Sequence, residues 1–201
     1  MPASYRGAVF FLVVLVVAVL VVPLTRGSFR RLSQLQFRHL WVLFLALGVQ
    51  IALEYVDFPR ARIEDLGVAI LLSSYVLIFG FCWINRTVKG MTVIAVGIAC
   101  NVLVIALNLG MPTTKELRTV HGRDVYVPIE QTVKHRPEND DTKLAFLGDV
   151  MTLPGSPNQM FSIGDIVIGI GIVDVCFEAS RVPGRRRRQP APDSESDALS
   201  D

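Results

Sequence analysis

The chain has 201 residues, of which 51% are hydrophobic and 19% charged, with a net charge of +2; its mean hydropathy is +0.46. A water-soluble domain of similar length carries about a quarter charged residues, so a disordered, collagenous or ordinary cytosolic chain is excluded. The three cysteines, Cys82, Cys100 and Cys176, lie in apolar surroundings and build neither a disulfide framework nor a paired metal motif.

The apolar residues gather in five runs, 8–24, 40–55, 66–84, 91–109 and 161–177, each close to the ~20 residues that cross a hydrocarbon core. This pattern predicts an all-α membrane protein of five transmembrane helices, with one domain over 1–178 and a tail over 179–201. Only Arg6 precedes the first run, and Val21-Val22-Pro23-Leu24-Thr25-Arg26 offers no small-residue cleavage site. The first run is therefore expected to be a retained helix and not a signal peptide.

Orientation follows from the basic residues in the short loops, which favour the cytoplasmic side. Arg26, Arg30, Arg31 and Arg38 follow the first run, Arg86 and Lys89 follow the third, and Arg181 with the arginines at 185–188 follows the fifth. The expectation is an N-terminus outside and a C-terminus inside a bacterial inner membrane, with Trp41, Tyr55 and Trp83 at the headgroup level. Because the charge excess consists of these anchors, membrane lipid is the implied partner, and nucleic acid is not. The Pro-, Ser- and acid-rich stretch at 189–197 has nothing to bury and is expected to be disordered.

The longest polar stretch, 110–160, holds six basic and seven acidic residues and faces outward in this scheme. Its apolar positions, among them Leu117, Val125, Ile129, Phe146 and Leu153, predict an ordered segment. Thr113 and Glu116 have capping-box spacing, which predicts an interfacial helix over 114–120. The stretch 124–129 alternates toward β structure, and 142–151 reads as a second short helix.

Two asparagines interrupt the fourth run. At 100° per residue Gly90, Gly97, Asn101 and Asn108 fall within about 40° of one another, a small and polar seam along which a second helix can approach and hydrogen-bond. The fifth run opens Phe161-Ser162-Ile163-Gly164-Asp165. Ser162 and Asp165 have the spacing to cap their own helix. The same Asp165 has a second chemistry available, because Asp149 precedes it in sequence and two carboxylates that share a proton can activate water. His39, His121 and His135 do not assemble a ligand set by spacing, so no metal is expected, and no phosphate-binding loop or dinucleotide fingerprint calls for a cofactor.

The chain resembles an uncharacterised family of five-helix bacterial membrane proteins, a domain of unknown function. The resemblance rests on Arg26-Gly27-Ser28, residues 32–50, the N-V-L-V-I-A-L-N-L-G-M-P of residues 101–112, His135 with residues 142–149, and F-S-I-G-D at 161–165 followed by Gly169 and Gly171. It implies a multi-pass topology and no stated activity. The last helix is also similar to that of lipoprotein signal peptidases through Phe161, Asp165, Ile168 and Gly171. That similarity implies Asp165 as one catalytic aspartate, Asp149 as its partner and Asn108 as a substrate-positioning amide.

Three functional readings follow from the sequence. The leading one is a non-catalytic scaffold or binding protein that uses its outer segment to meet a membrane-protein partner, with Asn101, Asn108, His135, Ser162 and Asp165 as a polar site. The alternatives are an intramembrane aspartic hydrolase using Asp149 and Asp165, and a transporter of a small solute or lipid.

Overall fold

The computed structural model describes residues 8–55, 63–114, 116–120, 123–127, 129, 131–153 and 156–181. Among these are six helices: α1 (Ala8–Leu24), α2 (Phe29–Leu32), α3 (Leu40–Tyr55), α4 (Val68–Ile84), α5 (Met91–Asn108) and α6 (Ile163–Arg181). The protein is mostly helical, and every long helix grows from one of the apolar runs. The boundaries have local causes. Pro23 is the next-to-last residue of α1, and Thr25 Oγ1 donates to Val21 O at 2.6 Å just beyond it. At the end of α5, Leu109 turns left-handed at φ 53°, and Gly110 at φ 143° donates its N–H to Ile105 O at 3.2 Å, which closes the last turn.

Two helical stretches, Asp65–Ile84 and Met91–Asn108, are long and apolar enough to cross a membrane, with hydropathies of 2.1 and 2.2. The apolar stretches Phe10–Leu24 and Leu40–Leu53 are shorter, and α6 carries Asp165, Asp174, Glu178 and Arg181.

The long helices pack as a row in the order α3, α4, α5, α6, α1. One apolar cluster gathers Leu53, Leu71, Val104, Ile105 and Met111, and a second gathers Phe81, Cys82, Met91, Ile98 and Val175. At the edges of the row, large apolar side chains point outward, including Leu12, Leu15 and Leu20 on α1 and Trp41, Phe44 and Ile51 on α3. Glycine allows the closest approach, between α5 and α6. A Cβ on Gly97 would lie 2.6 Å from Gly164 O, and one on Gly171 would lie 2.8 Å from Ile94 N. The small-residue seam expected along α5 therefore faces α6.

The segment 110–160, expected from sequence to be the outer one, departs from the all-α expectation, because its described residues are built largely of strands. β1 (Met111–Thr113) pairs in parallel with β4 (His135–Pro137), β2 (Glu116–Val120) pairs antiparallel with β3 (Arg123–Val127), and β5 (Met151–Leu153) pairs antiparallel with β6 (Ser156–Phe161). The interfacial helix expected over 114–120 is thus corrected to a hairpin strand. The capping box does not form, since Thr113 sits in β1 with its hydroxyl donating to Met111 O at 3.2 Å.

The helix expected over 142–151 is corrected to a single 3₁₀ turn, Ala145–Leu147. Leu144 is left-handed and Gly148 extended on either side of it, and the backbone of Lys143 is bonded to the Asn108 side chain. A residue whose N–H and C=O are both taken elsewhere cannot extend a helical ladder. The strand tendency near 124–129 does appear, as β3. The expected tail beyond 181, with its arginines at 185–188, and His121 lie outside the described residues.

The loops sort by charge. At one end of the bundle, Ser28 N donates to Ser180 O at 3.0 Å, Arg31 Nη1 donates to Arg181 O at 3.1 Å, and Lys89 pairs with Glu178 at 2.9 Å. This end collects the basic loops. The other end carries the outer segment.

Candidate functional site

The polar residues that interrupt α5 and open α6 meet toward the end of the bundle that carries residues 110–160. Asn101 Nδ2 donates to Asp165 Oδ1 at 3.1 Å, and Ser162 Oγ donates to Asn101 Oδ1 at 3.1 Å. Ser162 and Asp165 complete the capping box reciprocally: Asp165 N donates to Ser162 Oγ at 3.0 Å, and Ser162 N donates to Asp165 Oδ2 at 2.9 Å. Asn101 and Ser162 are buried, and both oxygens of Asp165 accept a bond. The cluster closes on itself, as buried polar groups must if they are not to be costly. Gly164 makes the closure possible, because a Cβ there would collide with Asn101 Oδ1.

Asn108 acts differently. Its Nδ2 donates to Lys143 O at 2.8 Å and to Val104 O at 2.8 Å, and its Oδ1 accepts from Lys143 N at 2.8 Å. The side-chain amide therefore copies a peptide group. It pairs with one loop residue through two bonds, as a neighbouring strand would, while its second N–H gives a further donor to a carbonyl of its own helix, Val104 O. The backbone carbonyl of Asn108 accepts from Arg136 Nη1 at 2.8 Å, which ties the start of the outer segment to β4.

Asn85, at the opposite end of the bundle, repeats this clamp atom for atom. Its Nδ2 donates to Arg38 O at 3.0 Å and to Phe81 O at 2.9 Å, and its Oδ1 accepts from Arg38 N at 2.8 Å. Sequence reasoning missed Asn85. The available signal was an asparagine directly behind an apolar run.

His135 and Asp149 form a third polar group, on either side of β1. His135 is in register with Met111, and Asp149 bridges Thr113 with its N–H donated to Pro112 O at 2.8 Å. Their side chains face each other at 3.5 Å. Asp149 is 8% exposed. Gly148 is required beside it, since a Cβ there would lie 2.5 Å from Pro112 O.

No hydrogen bond joins Asp149 to Asp165. Each carboxylate nevertheless lies within electrostatic reach of the Tyr75 hydroxyl on α4, so the Asp149 and Asp165 groups border one region beside α4. The six residues singled out from sequence are thus brought to one end of the molecule but divided into three sets of partners. Among the described residues, no group of three or more His, Cys, Asp or Glu side chains is placed to hold a metal ion.

The chain carries a glycine-lined α5–α6 pair, an Asn-Leu-Gly-Met-Pro exit from α5 and a Phe-Ser-Ile-Gly-Asp start to α6. It belongs to DUF5317, a family of unknown function, through residues 34–177. The DUF5317 match takes in every residue of the three polar groups as well as Asn85, and leaves α1 and α2 outside it. No curated protein and no solved structure matches the chain.

Proposed function

We propose that this DUF5317 protein is a multi-pass inner-membrane protein whose five long helices cross the bilayer and hold the outer segment rigidly as a non-catalytic binding surface for a membrane-protein partner. The observation that carries this reading is the closed accounting of the polar groups at the outer end. Asn101, Ser162 and Asp165 satisfy one another, and Asn108 is used in full on Lys143 and its own helix. Groups committed in this way position backbone. Lipid as solvent is supported by the outward-facing apolar side chains of α1 and α3, since a soluble protein rarely exposes such a surface. The inside-positive orientation is supported by the gathering of Arg31, Lys89 and Arg181 at the end remote from the outer segment. On the outer segment itself Phe146 stands 60% exposed, an apolar anchor of the kind that interfaces bury.

The test is thiol labelling in a background with Cys82, Cys100 and Cys176 replaced by alanine. A cysteine at Asp140 is expected to react with a membrane-impermeant reagent in intact cells, and a cysteine at Arg86 only after permeabilisation. The reverse pattern would reject the orientation, and release of the protein from membranes by alkaline carbonate would reject the bilayer.

A second reading, the aspartic hydrolase, draws on the electrostatic reach between Asp149 and Asp165. It requires both carboxylates to bond one water, whereas Asp165 already uses both oxygens on Ser162 and Asn101. The two readings separate at Asp149→Asn: preserved folding together with loss of an assayable hydrolysis of membrane-embedded peptide would favour the enzyme.

A further inference from the structure

The basic end holds a cavity of about 330 Å³ between the α2 region, the turn joining α4 to α5, and the last turn of α6. Among the described residues, Arg31 and Lys89 supply its cations, Glu178 its only carboxylate, Gln34 and Thr87 further polar groups, and Leu35, Val88 and Ala179 an apolar wall. Its volume lies at the lower end of the range for small-molecule sites, ~300–1,000 Å³.

The two cations are only partly committed. Arg31 uses Nη1 on Arg181 O at 3.1 Å, which pins the guanidinium to the end of α6 and leaves most of its five donors available. Lys89 Nζ meets Glu178 at 2.9 Å, with its side chain 69% exposed, so two of its three donors remain. Two cations against one carboxylate give the cavity a surplus of one positive charge. Its height in the bilayer is marked by Trp83, which is 60% exposed and carries the Arg86 guanidinium 4.9 Å above its ring. An indole at the end of an apolar helix sits at the headgroup level, and the turn that lines the cavity begins just beyond it.

We infer that this cavity binds the phosphodiester headgroup of an anionic glycerophospholipid of the inner leaflet. The phosphate lies between the Arg31 guanidinium and the Lys89 ammonium, with the glycerol carbons against Leu35, Val88 and Ala179. A planar guanidinium with a free edge suits a phosphate oxygen pair, and an ammonium supplies a compact second charge. The apolar wall favours a lipid over free phosphate, which gains nothing from it. Glu178 opposes the ligand's charge and holds Lys89 at the rim when the cavity is empty.

The inference rests on the membrane reading above, and its test is run in detergent solution so that the two can fail separately. The full-length protein in a neutral, phosphate-free detergent is titrated with phosphatidylglycerol, phosphatidylcholine and inorganic phosphate, and bound lipid is counted by native mass spectrometry. Phosphatidylglycerol is expected to be retained and phosphatidylcholine stripped. Lys89→Gln is expected to weaken phosphatidylglycerol about fivefold and Glu178→Gln to strengthen it about fivefold, each following the change of one unit charge. Both variants break the same ion pair, so a merely structural effect would move them in one direction and would overturn the proposal. Equal retention of the two lipids would also overturn it. Displacement of phosphatidylglycerol by millimolar inorganic phosphate would assign the cavity to a soluble phosphate and reject the lipid. None of these outcomes alters the thiol-labelling result, which alone decides the topology.

Discussion

Asn108 and Asn85 are the same device at opposite ends of the bundle. Each stands at the C-terminal end of an apolar helix, returns one N–H to the carbonyl four residues back, and pairs its amide with both backbone groups of a single distant residue. What differs is the cargo. Asn85 fastens Arg38 in the short basic loop before α3, whereas Asn108 fastens Lys143 in the middle of a segment some fifty residues long. The basic loop has further ties at Ser28–Ser180 and Arg31–Arg181, so its clamp shares the load. The outer segment meets its helix through Asn108 directly, with Arg136 beside it. An uncharged amide suits both places, because it meets backbone donors and acceptors at a helix end without bringing a charge beside the packed helices.

The largest effect expected on this comparison comes from the seam beneath the outer clamp. Gly164→Val drives a side chain into Asn101 and the α5 backbone, so it is expected to abolish folded, monodisperse protein by size-exclusion chromatography; recovery of wild-type yield would show that α5 and α6 do not approach as described. The clamps come next. Asn108→Leu removes both bonds to the backbone of Lys143, at about 0.5–1.5 kcal/mol each, and is expected to expose residues 131–153 to limited proteolysis while the helices stay intact. Asn85→Leu removes the same three bonds but is expected to leave the proteolysis pattern of the outer segment unchanged. Equal patterns from the two variants would break the distinction between the ends. The smallest effect is expected at Lys89→Ala. Its ion pair with Glu178 is largely exposed, and such pairs contribute about 0–1 kcal/mol, so thermal unfolding in detergent should shift by no more than a few degrees.

Most of the helical framework was legible in sequence, because an apolar run of sixteen residues or more with few charges has no stable form other than a helix buried in protein or lipid. The bounds of α1 and α3 coincide with the first two runs, and those of α5 fall one residue short of the fourth. The capping of α6 by Ser162 and Asp165 was legible for a related reason, since it joins residues three apart and needs no knowledge of the rest of the chain. The outer segment was less open to this reading. Thr113 and Glu116 carry a helix-start pattern that local rules favour, yet β1 is drawn into parallel pairing with β4, more than twenty residues away. Asn85 escaped notice because nothing near it in sequence shows that Arg38 will lie opposite.

The sequence by itself determined where the apolar helices run, which loops are basic and how α6 begins, since hydrophobicity, charge and capping act over a few residues or along one helix. Only the tertiary structure decided that 142–151 is a turn and not a helix, that Asn101 and Asp165 share a bond, and that Asp149 faces His135 instead of Asp165. Each of those outcomes depends on which groups far apart in the chain are brought together when the helices pack. At those contacts an amide side chain from another helix competes on equal terms with the local ladder.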